Sequence, residues 1–365
     1  MRSLITPTSN ALLERALLDK LLRRNEVAAG SLGELEPLAV RLGLMQNTLK
    51  PRFRNPQIIV FAADHGLAVD GIRGPRQTHE VVQQLLAGEL PLSVFARTQQ
   101  IELSVVDCGL AENLPAHEQL MMRKIAHGTR NARVGAAMSL EQAHAGIRAG
   151  MEIGESLRGN MLICAGLGLG SHESAALVLA RLTDSPVREL LVSGAAMSAD
   201  RLAHLQLIAQ GAMSRHRDTS DPVEVLAAFG GFEIAMMVGV MLMAASKRSL
   251  LMIDGMAACA ALMVAARIAA PVTDYCVFCR SHGHRGLDQA LKLFRASALL
   301  ELGMDSADGT GATLAWPLVH CAAAVLTELT DGDDSGPSRP MGLGEPQVGP
   351  NSGFDNLDDL FPPGA

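Results

Sequence analysis

Apolar runs separated by helical stretches form the main pattern along this chain, and each run ends in a polar or glycine-rich turn. The six runs are Gln57–Ala63, Glu102–Asp107, Met161–Ala165, Glu189–Val192, Leu250–Ile253 and Tyr275–Cys279. Continuous apolar runs of this length are typical of strands that are buried on both faces of a parallel sheet. In open α/β sheets, ligands bind at the carboxyl ends of the strands, where these turns fall. The pattern therefore predicts an enzyme-like α/β domain.

Helical periodicity fills most of the remaining sequence. Ala11–Leu22 has an amphipathic face, and residues 222–247 predict one long apolar helix that begins at Pro222. Two further helices are predicted over residues 285–304 and 312–329. After Leu329 the sequence is rich in Asp, Gly and Pro, which predicts a disordered tail.

The charge balance bears on the partners of the protein. Lys and Arg number 31 against 38 Asp and Glu, a net charge of −7, which argues against nucleic acid or an anionic membrane as the main partner. The longest apolar stretch, residues 256–266, is shorter than a membrane helix requires, and the N-terminus shows no secretory signal. We therefore expect a cytoplasmic protein that binds small molecules, with no cofactor.

Two cysteines and two histidines stand close together at Cys276, Cys279, His282 and His284. These residue types could bind zinc. However, a C-x₂-C pair within a strand directs its two side chains to opposite faces, and zinc ribbons space their ligand pairs more widely. We therefore predict no metal site.

The segment 161–176 has the order strand, glycine loop, helix start. Its glycines, Gly166, Gly168 and Gly170, could bring backbone N–H groups close to a phosphate at the positive end of a helix. The spacing of the glycines disfavours a dinucleotide, as does the lack of an acidic residue at the end of the following predicted strand, where a carboxylate would bind the ribose. A mononucleotide phosphate site and a tight packing turn both remain open.

Two acidic residues also lie at predicted turns. Asp64 follows the first run together with His65, and Asp308 precedes the run Gly309-Thr310-Gly311. From its position before a helix, Asp308 could be either an N-cap or a general base, and position alone favours the cap.

Several separated stretches together resemble the nicotinate-nucleotide:dimethylbenzimidazole phosphoribosyltransferase family of cobalamin nucleotide-loop assembly. They are Gly30–Glu36, Ala63–Gly66, Lys124–Asn131 with Ala137–Ser139, Gly230–Ala235 with Asp254-Gly255, and Gly309–Ala312. Their order and separation match this family from about residue 28 to residue 330.

The resemblance implies a six-stranded, mostly parallel sheet with Rossmann-like topology and a small helical domain built from N- and C-terminal segments. It divides the chain into an N-terminal helical segment (1–55), a large α/β domain (56–330) and the tail (331–365). It also implies a homodimer, and a mixed dimer with a paralogue is the alternative.

The reaction implied by the resemblance transfers the phosphoribosyl group of nicotinate mononucleotide to dimethylbenzimidazole or a related base. The family's catalytic base is a glutamate, and the matching position is Asp308. The substrate-binding positions implied are Asp64, Gln83, Gly166, Gly168, Gly170, Ser171, His204, Asp254, Gly255, His282 and Gly309.

The sequence departs from the family at several of these positions. The family loop Gly-Glu-x-Gly-x-Gly-Asn-Thr-Thr is replaced by residues 165–173, which lack its glutamate, asparagine and threonines. A family lysine near the phosphate matches His204, a pocket serine matches Pro75, and residues are missing after Ser281-His282. A catalytically weak paralogue acting as a binding or regulatory subunit is therefore an alternative, and another small-molecule transferase is a third.

Overall fold

A six-stranded parallel sheet forms the centre of the protein. The computed structural model describes residues 5–28, 30–72, 74, 76–193, 197–283 and 285–328. The strands are β1 (Gln57–Ala63), β2 (Glu102–Gly109), β3 (Leu120–Met122), β4 (Met161–Leu167), β5 (Leu250–Ile253) and β6 (Cys276–Phe278). Their spatial order is β3-β2-β1-β4-β5-β6, and every neighbouring pair is parallel. The predicted six-stranded sheet with Rossmann-like topology is confirmed, and the chain reverses its direction of progress between β1 and β4, where such sheets bind ligands.

One of the predicted strands is wrong. Residues 189–191 of the predicted strand Glu189–Val192 lie in a short helix, Val187–Leu191, which starts after Pro186 and buries Leu190 and Leu191. The sixth strand is instead β3, whose three residues pair with Val105–Asp107 of β2.

Helices cover both faces of the sheet. In the part of the chain described, they are α1 (Ala11–Ala28), α2 (Leu35–Gln46), α3 (Thr78–Leu86), α4 (Pro91–Thr98), α5 (Leu140–Ser156), α6 (Ser171–Thr183), α7 (Val187–Leu191), α8 (Ala199–Arg215), α9 (Pro222–Phe229), α10 (Phe232–Ser246), α11 (Met256–Ile268), α12 (Arg285–Leu293) and α13 (Thr310–Thr327). Helices α10 and α11 are buried along almost their whole length. This burial explains their lack of a polar face.

Two predicted helix boundaries are wrong. The helix predicted over 222–247 is interrupted at Gly230-Gly231, which separates α9 from α10. A Cβ atom on Gly231 would lie 2.3 Å from Cε1 of His65, so only glycine allows that imidazole ring to approach the chain here. The helix predicted over 285–304 ends at Leu293, two residues before Arg295 adopts a positive φ of 53°.

Two side chains from the C-terminal half of the chain hold the N-terminal segment against the sheet. Arg248 donates hydrogen bonds to the carbonyl oxygens of Leu44 and Met45 at the end of α2 and to the hydroxyl of Thr6. The Tyr275 hydroxyl donates to the carbonyl oxygen of Thr6 at 2.7 Å. Helix α2 also packs against α13, so the N-terminal helices share one hydrophobic core with the sheet.

The domain boundaries at residues 55 and 330 stay predictions. The predicted tail, residues 331–365, lies outside the described residues, as do Pro75 and His284.

Candidate active site

Polar residues gather at the carboxyl edge of the sheet. Asp64 follows β1, Asp254 follows β5, and His282 lies four residues after β6. The loop before α13 brings Asp308 to this edge, against Gly255. A Cβ atom on Gly255 would lie 2.1 Å from the Asp308 carboxyl carbon, and its φ of +96° also favours glycine.

The carboxylate of Asp308 is paired with an imidazole ring. His282 Nε2 lies 2.9 Å from Asp308 Oδ1, and His282 Nδ1 lies 3.0 Å from Asp305 Oδ1. The side chains of Asp308 and His282 are 16% and 23% exposed, whereas that of Asp305 is 83% exposed. The three groups thus form a chain that leads from the partly buried site to the solvent.

Asp254 fixes the surrounding backbone. It is fully buried, and its carboxylate accepts hydrogen bonds from the Ser281 amide at 2.8 Å, the Ser281 hydroxyl at 2.6 Å and the Ala312 amide at 2.9 Å. Burial, together with the nearby negative charge of Asp308, raises the pKa of Asp254 to about 6. This side chain therefore joins the ends of β5 and β6 to the start of α13.

The interpretation of Asp308 as a helix cap is wrong. The N-cap residue of α13 is Gly309, with a φ of 87°, and the amides of Gly311 and Ala312 in its first turn donate to Ser281 and Asp254. A Cβ atom on Gly309 would approach Ile58 and Ala165 of the sheet at 2.9 and 3.1 Å. The Asp308 carboxylate faces His282, and its role as a base stays a prediction.

The glycine loop between β4 and α6 packs tightly against the end of β1. A Cβ atom on Gly168 would lie 1.9 Å from the carbonyl oxygen of Ala63, and one on Gly170 would lie 2.9 Å from His65 Cβ. Gly166 has similar constraints, since its Cβ atom would lie 2.4 Å from that of Ala257. These glycines are therefore needed for packing, while their contact with a phosphate stays a prediction.

The first turn of α6 contains a buried carboxyl group. Glu173 is 7% exposed and hydrogen-bonds its own backbone N–H, and burial raises the pKa of this carboxyl above its usual value. The Ser171 hydroxyl, predicted to bind substrate, donates to Glu233 Oε1 at 2.9 Å. The amino end of α6 thus differs chemically from a simple phosphate cradle.

Sequence reasoning missed Glu233, which is fully buried on α10. Its Oε1 atom lies 2.8 Å from Nε2 of His65, beneath the glycine loop. Although burial favours the neutral ring, the charge and hydrogen bond of Glu233 raise the pKa of His65 above its usual value. A lone acidic residue in a helix of apolar side chains was the available signal.

The remaining predicted residues are placed as follows. Asp64 accepts hydrogen bonds from the Thr78 hydroxyl and, at 2.8 Å, from the Ala111 amide. Gln83 is exposed on α3 and lines an open hollow of about 500 Å³. His204 is exposed on α8, and its Nε2 lies 2.8 Å from the carbonyl oxygen of Asp70. The structure therefore brings Asp254, Gly255, His282, Asp308 and Gly309 into one cluster, whereas contacts of Gln83 and His204 with that cluster are not seen among the described interactions.

Comparison with known proteins assigns this arrangement to a class of transferases. A family model described as phosphoribosyltransferase matches residues 6–336. A nicotinate-nucleotide–dimethylbenzimidazole phosphoribosyltransferase from Cupriavidus taiwanensis is 41% identical over 339 residues, which are 92% of this chain and 97% of that protein. A protein of the same name from Janthinobacterium sp. is 39% identical over 308 residues, covering 82% and 88% of the two chains.

Solved structures agree with these relatives. The crystal structure of a nicotinate-nucleotide-dimethylbenzimidazole phosphoribosyltransferase from Thermus thermophilus superposes with a TM-score of 0.78 at 27% identity and covers 87% of this chain and 96% of that one. The chain belongs to the nicotinate-nucleotide:dimethylbenzimidazole phosphoribosyltransferase family. The resemblance noted in the sequence is therefore confirmed.

Proposed function

We propose that this protein transfers the phosphoribosyl group of nicotinate mononucleotide to dimethylbenzimidazole or a related base, giving α-ribazole phosphate and nicotinate. In this reaction the bond between the anomeric carbon and the nicotinate nitrogen breaks, and nicotinate leaves with the electron pair. A ring nitrogen of the acceptor forms the new bond to the anomeric carbon. The other ring nitrogen of the acceptor loses its proton.

The residue that takes this proton is Asp308. The observation that carries the assignment is the Asp308 carboxylate itself, which lies against Gly255 at the carboxyl edge of a parallel sheet and is oriented by His282. A general base must be within hydrogen-bond reach of the proton it removes, and ligands of such sheets bind at this edge. A fixed carboxylate also stabilises positive charge that develops on the sugar as nicotinate leaves.

The test is a transfer assay with purified protein. Nicotinate mononucleotide is incubated with dimethylbenzimidazole, other benzimidazoles, phenols or adenine, and nicotinate release and the ribazole product are both quantified. We expect nicotinate release that depends on the acceptor and equals the product formed. Absence of release with every acceptor would contradict the proposed function and favour a non-catalytic binding subunit.

We also propose that the protein acts in the cytoplasm as a homodimer. The family resemblance supports the dimer, and the net charge of −7, which argues against an anionic membrane as the main partner, supports the location. Sedimentation of the purified protein at several concentrations tests the dimer. A stable monomer that dimerises only with a paralogue would favour the mixed dimer.

A further inference from the structure

The His282 ring is bound at both of its nitrogen atoms. Nε2 faces Asp308 at 2.9 Å and Nδ1 faces Asp305 at 3.0 Å. Carboxylate oxygens only accept hydrogen bonds, so two such bonds require a proton on each ring nitrogen. The geometry is therefore that of an imidazolium ion held between two carboxylates.

We propose that His282 is a positioning residue that orients the Asp308 carboxylate for proton removal, while Asp305 fixes the far side of the imidazole ring. The proposal rests on the proposed function, because it assigns Asp308 as the base of that reaction. It replaces the substrate-binding role that the family resemblance implied for His282. With both ring nitrogens directed at carboxylates, the ring acts through Asp308.

The backbone around the pair supports a fixed orientation. Ser281, the preceding residue, is fully buried and bound to Asp254 through both its amide and its hydroxyl group. The isolated bridge between His282 and Asp305 joins the two loops that carry the pair. The His282 ring is therefore held from its own backbone and from the opposing loop, which favours one orientation of the Asp308 carboxylate.

The charges that surround the ring make its protonation a condition for this geometry. Asp305 and Asp308 approach it from the loop before α13, Asp254 from the end of β5, and His172 from α6. Burial disfavours the charged ring, but the hydrogen bond and charge of Asp308 outweigh it and raise the pKa of His282 to about 9. Loss of the proton above that pH leaves a ring lone pair facing a carboxylate, which breaks one of the two hydrogen bonds.

The decisive experiment compares the pH profiles of kcat for the parent and His282→Gln. Glutamine keeps an N–H donor but does not titrate. A displacement of about 1 Å in a catalytic group can reduce the rate by about a hundredfold, so we expect kcat at pH 7.5 to fall by about 10- to 100-fold, with little change in KM for nicotinate mononucleotide. The parent profile should decline near pH 9, and this decline should be absent in His282→Gln.

A matched control is His117→Gln, since His117 is exposed in the segment between β2 and β3. It should keep the parent profile. If His282→Gln keeps the parent kcat and the decline near pH 9, the positioning role is refuted while the transferase function stands. If KM rises and kcat is unchanged, His282 is a substrate-binding residue.

A second measurement does not depend on activity. The His282 ring is titrated by nuclear magnetic resonance in the parent and in Asp308→Asn. We expect a pKa near 9 in the parent and a clearly lower one in the variant. Equal values would overturn the pairing, even in a protein that transfers to no acceptor tested.

Discussion

Replacing Gly168 by alanine would force apart the ends of two neighbouring strands. The new Cβ atom would lie 1.9 Å from the carbonyl oxygen of Ala63, about 1.5 Å closer than the 3.4 Å at which ordinary contact begins. The Ala63 oxygen belongs to the backbone of β1, so no side chain can rotate away to relieve the overlap. Overpacking of this kind costs about 1–3 kcal/mol, and we expect the upper end of that range.

Urea unfolding followed by circular dichroism measures this loss. We expect Gly168→Ala to lower the free energy of unfolding by about 3 kcal/mol, with a fall in Tm of about 6–12 °C. The control is Gly135→Ala, because a Cβ atom on Gly135 would meet nothing within 4 Å. That variant should stay within about 0.5 kcal/mol of the parent. Equal stability of the two variants would refute the packing argument and leave ligand contact as the only role of Gly168.

Three further predictions concern the charged groups. Asp308→Asn should reduce nicotinate release by about 10²- to 10⁴-fold, the usual contribution of a general base, and full turnover would exclude that role. Because the pKa of His282 is raised from 6.5 to about 9, its stabilising contribution is complete below pH 6.5 and is lost as the pH rises through about 9. Urea titrations should show a free energy of unfolding that is up to about 3 kcal/mol lower at pH 10 than at pH 6. This pH dependence should be absent in His282→Gln. Glu173→Gln should tighten binding of nicotinate mononucleotide by about 2- to 5-fold in calorimetry if the phosphate lies at the amino end of α6, and unchanged affinity would place the phosphate elsewhere.

The sheet was largely predictable because helices cover both of its faces. Long apolar runs such as Gln57–Ala63 reflect that burial directly. Strand β3 has no long apolar run, because it is only three residues long and forms a strand through its pairing with β2. Glu189–Val192 has the local composition of a strand, but it follows Pro186 and packs as a helix against α6 and α12. Short segments are thus decided by tertiary partners, which the local pattern does not contain.

The site was predictable as a set of positions, although its pairings were not. Asp254, His282 and Asp308 follow from the family resemblance. However, His282 and Asp308 are 26 residues apart, and His65 and Glu233 are 168 residues apart, so their contacts depend on the folded chain. The role of Asp308 was ambiguous for the same reason, since the folded chain places Gly309 at the N-cap of α13 and the Asp308 carboxylate against His282.

The anchoring of the N-terminal segment determines the order in which the protein can be completed during synthesis. Thr6 is bound by Tyr275, 269 residues later, and Met45 is bound by Arg248, 203 residues later. At about 5–20 residues per second, a ribosome makes these partners roughly 10–50 s after the N-terminal helices. These N-terminal residues are therefore among the last to reach their final contacts, and the faces of α1 and α2 that pack against α13 stay uncovered on the nascent chain until α13 is made.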